Sequence, residues 1–351
     1  MKAGITGLPY SGKTSLFCAL TGQDYDTAVS RREIHLGTVK VPDFRLEKLY
    51  DMFRPKKITH ATMEYFDIAG QSGGSDKEME PKALQTLKNA DSLIVVLDAF
   101  SDNADPERDY FSFMEDLAFN DLVVATNRIE RLGKEMRCGT TDAQLKEKAL
   151  LERCTSFLEN GDMLRDMSLG PDEEKTIRGF QFLTRKPLII VVNISEQLLA
   201  AGKAGDLEKR FGSVSNAACA AVCVELEREI STLDDAVERA EFLNSMGITE
   251  PALNRLIRLS YKSLGLISFF TAGGDDEVRA WTVQKNSTAV DSAGAIHSDL
   301  ARGFIRSETI AFDDLAAAES FKTARDQGLL RIEGRDYIVQ DGEVLTIRFS
   351  V

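Results

Sequence analysis

Gly7-Leu8-Pro9-Tyr10-Ser11-Gly12-Lys13-Thr14 sets two glycines, a lysine and a threonine at the spacing G-x4-G-K-[ST]. The chemistry of that spacing is phosphate binding. The glycines let successive backbone N–H groups close round an anion at a helix N-terminus, a lysine neutralises β/γ oxygens, and the threonine hydroxyl can ligate Mg²⁺. The expected phosphate contacts are Gly7, Pro9, Ser11, Gly12, Lys13, Thr14 and Ser15, with Lys13 counted among the catalytic groups. Asp67-Ile68-Ala69-Gly70 has the form D-x-x-G, in which Asp67 holds Mg²⁺ through water and the Gly70 N–H senses a γ-phosphate. D-x-x-G alone is a weak signal, and its position about fifty residues after the phosphate loop raises its weight.

Those groups need a strand before the loop, a helix after it and a second strand ending at Asp67. Lys2 to Thr6 is a short apolar run, and Leu16, Phe17 and Leu20 give the following segment an apolar helical face. Further β-type runs at 63–66, 92–98, 187–192 and 220–224 alternate with helical patterns, which reads as an α/β fold with a mostly parallel sheet. Between 100 and 184 the pattern is charged and helical. Leu122, Ala125, Ile129, Leu132 and Met136 recur at 3,4,3,4 spacing, Gly139 to Asp142 breaks the helix, and Leu150, Cys154 and Phe157 follow, as in two antiparallel helices closed on one seam. A further helix is expected from Pro171. From Leu266 short strands are expected at 266–271, 278–283, 332–339 and 344–349, a small α+β module. The division expected is a nucleotide-binding domain at 1–99 and 185–265, a helical insertion at 100–184 and a C-terminal domain at 266–351.

At 351 residues the chain has ample apolar surface to bury, and 43% hydrophobic with 28% charged residues is the balance of a soluble globular protein. No apolar run long enough for a membrane span and no export signal is read at the N-terminus, so a cytoplasmic protein without a membrane partner is expected. The five cysteines lack metal-type pairing and read as reduced, buried thiols. A net charge of −13 argues against a generic nucleic-acid binder and against DNA sequence recognition. Residues 1–98 carry 13 basic and 13 acidic side chains, so small local patches still admit an RNA partner.

Nucleobase choice is expected at Asn193-Ile194-Ser195-Glu196, after the strand 187–192. Guanine-specific P-loop proteins use Asn-Lys-x-Asp there, the aspartate accepting from the two guanine N–H donors that adenine lacks. Here Ile194 replaces the lysine and the longer Glu196 replaces the aspartate, which weakens guanine selectivity.

With these motifs in order, the sequence resembles the Obg-like ATPase (YchF) family of P-loop NTPases over nearly its whole length. The likeness includes Val41-Pro42-Asp43-Phe44-Arg45-Leu46, Arg54-Pro55-Lys56-Lys57, the 266–274 run and the segments 277–283, 296–299, 302–306 and 336–342. The resemblance implies a G-type domain, a coiled-coil insertion and a C-terminal TGS module of β-grasp type. It also implies ATP (or GTP) as substrate, Mg²⁺ as cofactor, and the ribosome, RNA or a ribosomal protein as partner. By the same likeness, 222–227, with Cys223 and Val224, lines the far side of the base pocket.

The chain departs from that family at the switch elements. Gln71 follows the D-x-x-G where the family has a hydrophobic residue, and no histidine lies in the 99–113 loop where the family has a catalytic one. A glutamine at this place is what Ras-like enzymes use to orient the attacking water, so Gln71 is a catalytic candidate beside Lys13 and Gly70. The family's Mg²⁺-binding threonine of the first switch is replaced, with Thr27, Ser30 and Thr38 as open alternatives and Arg31 or Arg32 as a cis arginine. The expected function is an Mg²⁺-dependent NTPase preferring ATP, slow or partner-stimulated. The alternatives are a GTP-preferring enzyme and a nucleotide-binding regulator that barely hydrolyses.

Overall fold

The computed structural model describes residues 1–30, 34–67, 81–233 and 235–350. The strands in chain order are β1 (Lys2–Thr6), β2 (His35–Lys40), β3 (Lys57–Thr59), β4 (Thr62–Asp67), β5 (Ser92–Ala99), β6 (Leu188–Ile194), β7 (Ala217–Val222), β8 (Leu266–Thr271), β9 (Glu277–Gln284), β10 (Phe304–Ala311), β11 (Arg331–Glu333) and β12 (Glu343–Phe349). They form two six-stranded sheets, and the chain divides by contact into residues 1–37 with 64–256 and residues 38–63 with 257–351.

In the first unit the sheet order is β2-β4-β1-β5-β6-β7, in which the β4–β1, β1–β5, β5–β6 and β6–β7 pairs are parallel. Leu93 to Leu97 and Leu188 to Val192 are uninterrupted apolar runs, each residue at most 1% exposed, because a parallel strand covered by helices on both faces has no polar side. Parallel order also brings the carboxyl ends of β1, β4, β6 and β7 to one edge of the sheet, the edge at which α/β proteins bind ligands. The α/β P-loop architecture expected from the sequence is the one found.

The helical insertion follows the expected seam. The helix Pro106–Glu135 starts on Pro106 behind the Asp105 cap, and Asp142–Glu159 starts on a Thr141/Gln144 capping box. Ala125, Leu132, Leu150, Leu151, Cys154 and Leu158 bury between them, with Leu122, Ile129, Met136 and Phe157 at the margin. One polar contact ties this layer down. Asp121, fully buried, accepts from the backbone N–H groups of Leu183 and Thr184 at 3.0 and 2.8 Å and from the Thr184 hydroxyl at 2.7 Å. Asp121→Ala leaves three buried donors unpaired and is expected to cost about 3 kcal/mol. The check is a lower urea midpoint at unchanged slope.

In the second unit the order is β11-β10-β12-β8-β9-β3. By contact, residues 38–63 group with 257–351. β3 adds a parallel strand to the edge of β9, pairing Lys57 with Glu277 and Thr59 with Arg279. The helix Phe44–Phe53 finds its aromatic partners there too, Phe44 edge-on to Phe312 and Phe53 stacked on Phe321. Arg45, donating to Asp43 and to Asp341 at 2.8 Å, lies over the Phe270 ring. Two expectations change. β11 ends at Glu333, since 334–339 bonds instead to 287–290 with a lone strand bridge at Ile338, and β10, whose Arg306 and Glu308 interrupt its apolar pattern, was not expected. Cys18, Cys154, Cys219 and Cys223 are free thiols. Among the described residues no helix is long and apolar enough to cross a membrane.

Candidate functional site

β1 delivers the chain into the loop 7–12, and the helix Lys13–Thr21 carries it away. Gly7 has φ +137°, and a Cβ there would stand 2.4 Å from the Val96 carbonyl oxygen; Gly12 has φ +96°, and a Cβ there would stand 2.3 Å from Asn193 Nδ2. Both glycines are therefore required by sterics as well as by backbone sign. No side chain caps the helix and no acid occupies its first turn, so its leading N–H groups stay available to an anion. Ser11 is buried, and its hydroxyl makes no hydrogen bond among the described residues. Lys13 donates to the Leu8 carbonyl at 2.6 Å, which lays the ammonium across the loop. Burial pushes that ammonium down to about 8, against the pull of Asp67. Ser15 follows on the same helix, half-buried, while Pro9 lies exposed on the rim.

Asp67 ends β4 with no exposed surface and accepts from the Thr14 hydroxyl at 2.7 Å. Burial raises its carboxyl pKa, and the Thr14 hydroxyl and the Lys13 charge only partly offset that. Its Oδ1 has no hydrogen-bond partner among the described residues. A hydroxyl and a carboxylate with a spare buried oxygen are hard donors of the kind Mg²⁺ takes. Mg²⁺ needs only one or two protein ligands beside phosphate and water, a number that Thr14 and Asp67 can supply.

The base loop lies on the same edge of the sheet, where Asn193 pairs with Asp98 on one side and Val222 on the other. Its amide spans two loops. Nδ2 donates to the Ser11 carbonyl at 3.1 Å, and Oδ1 accepts from the Val224 N–H at 3.3 Å. Sequence reasoning placed Asn193 only against a base; the structure also makes it the brace that holds the phosphate loop to the segment opening the helix Val224–Thr232. Cys223 precedes that helix, buried, with its thiol pushed up by burial and its environment shared with Glu196. Glu196 is exposed in the first turn of the helix Glu196–Ala200, behind the Ser195 cap. Gly70, Gln71, Arg31 and Arg32 lie outside the described residues, as do the side chains of Thr27 and Ser30.

Comparison with known proteins bears on this arrangement directly. A family model described as "50S ribosome-binding GTPase" matches residues 2–128, and the model YchF-GTPase_C, described as "Protein of unknown function (DUF933)", matches 266–350. "Ribosome-binding ATPase YchF" of Pasteurella multocida is 38% identical over 363 aligned residues, covering 100% of this chain and 99% of that protein. The chain belongs to the YchF family. The YchF protein of Bacillus subtilis is 35% identical over the full length of both chains. Among solved structures, the Schizosaccharomyces pombe YchF GTPase superposes with a TM-score of 0.87 at 26% identity, covering 99% of this chain and 97% of that one. A GTP-binding protein from Pyrococcus horikoshii shares the fold, with a TM-score of 0.62 at 17% identity.

Proposed function

We propose that this YchF-family chain is an Mg²⁺-dependent NTPase that prefers ATP and uses the nucleotide cycle to switch its association with the ribosome. The observation that carries the nucleotide half is the Thr14–Asp67 contact beside Lys13, with a buried Asp67 oxygen that has no hydrogen-bond partner among the described residues, at the N-terminus of the helix Lys13–Thr21. Bound Mg²⁺ would neutralise β/γ-phosphate charge as the terminal phosphate leaves. The loop N–H groups of 7–15 and Lys13 hold and neutralise the phosphates, while Thr14 and Asp67 supply the metal's protein oxygens. Gly70 and Gln71, read from sequence, serve the γ-phosphate and the attacking water. On the base side Asn193, Glu196, Cys223 and Val224 form the pocket, and Ile194 with Glu196 in place of lysine and aspartate favours ATP. The ribosomal half rests on relatives named ribosome-binding ATPases and on the resemblance of 266–351 to a TGS module. The working division is nucleotide-binding residues 1–37 with 64–99 and 185–256, the insertion 100–184, and a C-terminal unit that includes 38–63.

Titrating ATP and GTP against the protein with Mg²⁺ by calorimetry tests base choice: ATP is expected to bind tighter, and tighter GTP binding would reverse the assignment of Glu196. The Lys13 pKa gives a second expectation. Lys13 is depressed, so the free protein favours its neutral form above pH of about 8, whereas triphosphate binding requires the charged form. ATP affinity should therefore be flat through neutral pH and fall by up to about tenfold per unit above pH of about 8, with proton uptake appearing as buffer-dependent binding heat. Affinity rising across that range would contradict the placement of Lys13.

A further inference from the structure

Residues 266–351 carry 9 basic and 14 acidic side chains, yet a third of those basic residues meet at one corner of the second sheet. β10 and β12 run antiparallel with Arg306 directly opposite Arg348 and Glu308 opposite Thr346. Directly opposed residues project from the same face, so Arg306, Glu308 and Arg348 share one side of the sheet. The helix Phe321–Asp326 brings Arg325 to the same carboxylate. Arg348 Nε donates to one Glu308 oxygen at 3.0 Å, and Arg325 Nη2 donates to the other at 3.5 Å. The Glu308 carboxyl is held below its ordinary pKa by the Arg348 hydrogen bond and by the charges of all three arginines. Among the described residues Arg306 has no ion-pair partner and faces Arg348 instead. Three guanidiniums round one carboxylate leave two positive charges uncompensated.

Folding does not explain the arrangement. Like charges directly opposite in a ladder are destabilising, and exposed ion pairs return little. The Arg325 and Arg348 side chains are 63% and 54% exposed, and Arg306 is exposed as well. A small anion on so open a face would stay hydrated and screened, whereas a chain of phosphates gains from every counterion it releases. Guanidinium forks match phosphate oxygens two at a time, and arginines on neighbouring strands, about 5 Å apart, can grip one phosphate or two adjacent ones. We propose that Arg306, Arg325 and Arg348 form a contact surface for an RNA backbone, with Glu308 fixing the guanidiniums that pair with it. This inference rests on the ribosomal reading and narrows the partner to RNA phosphate. Phosphate contacts position a protein without reading sequence, so the affinity depends on salt and hardly on base order.

The test uses the full chain with two probes, an RNA duplex of roughly 16 base pairs and a poly-glutamate peptide, beside cosedimentation with purified ribosomes. Arg306→Gln combined with Arg348→Gln is expected to weaken duplex binding about tenfold or more and to reduce the slope of log affinity against log salt by about two, near one per phosphate. Glu308→Gln is expected to act in the opposite direction and tighten duplex binding about threefold. The unfolding midpoint of Arg306→Gln should be unchanged or higher, because the opposed charge is gone. Arginines that serve only the fold predict duplex binding equal to wild type in every variant. A wild type that sediments with ribosomes but does not bind the duplex, or a double variant that binds the duplex as wild type does, overturns this inference alone. Tighter binding of poly-glutamate than of the duplex, lost in the double variant, assigns the corner to an acidic protein and overturns it too. A wild type that binds neither duplex nor ribosomes overturns the ribosomal reading and this inference with it.

Discussion

Replacing Lys13 by alanine is expected to lower ATP hydrolysis by about a thousandfold, the largest effect of any single change in the chain. The ammonium is buried, lies across the phosphate loop onto the Leu8 carbonyl, and its charge acts on the Asp67 carboxylate. Its burial is unfavourable in the free protein, which is why its pKa falls to about 8, and a triphosphate at the loop supplies the charge that offsets it. The alanine variant thus loses both the attraction in the bound state and the charge that spreads over the leaving phosphate. It also leaves Asp67 with less compensation, so its carboxyl pKa should rise further. Phosphate release measured beside the unfolding midpoint separates this from misfolding: the rate should collapse while the midpoint moves little. A variant within tenfold of wild type would mean that Lys13 does not face the phosphates.

Asp67→Asn is expected to lower Mg²⁺-dependent hydrolysis by roughly a hundredfold and to shift the Mg²⁺ titration to higher concentration. Asparagine keeps the size of the side chain and an oxygen for the Thr14 hydroxyl, so the change is one of charge. Nucleotide-free stability should move the other way. Burial raises the Asp67 pKa, so this group's contribution is fully present below the unfolded value of 3.8 and is lost as pH rises through the raised native value. At neutral pH the wild type therefore carries a desolvated carboxylate that the variant lacks, and the variant should unfold at the same or a higher temperature. A less stable variant with unaltered Mg²⁺ dependence would show Asp67 to be a structural carboxylate.

Much of the nucleotide site can be read directly from the sequence because its chemistry is local. Seven of the expected phosphate contacts fall within 7–15, and their geometry follows from two glycines and a helix N-terminus. The strands of the first sheet are equally legible, since parallel strands buried on both faces are continuous apolar runs. Long-range pairing is another matter. Nothing local in Phe44, Arg45 or Phe53 says that their partners are Phe312, Asp341 and Phe321, so the grouping of residues 38–63 with 257–351 is not legible in the sequence. β3 is three residues long and gains its order from β9, while β10 carries the exposed Arg306 and a Glu308 paired with Arg348, which break its apolar pattern. Asn193 shows the same limit at the site itself. Its place after a strand suggested base contact, but its bonds to Ser11 and Val224 need three loops brought together.

The chain crosses between units at 37/38 and again at 63/64, four residues before Asp67, and the intervening stretch includes a strand of the second sheet.

Phosphate release from ATP and from GTP by the purified wild-type protein, with Mg²⁺ and then with the metal chelated, tests the central claim most directly. The account predicts release from ATP that exceeds release from GTP at equal concentration and stops on chelation. Release unaffected by chelation, faster release from GTP, or none from either nucleotide would contradict it.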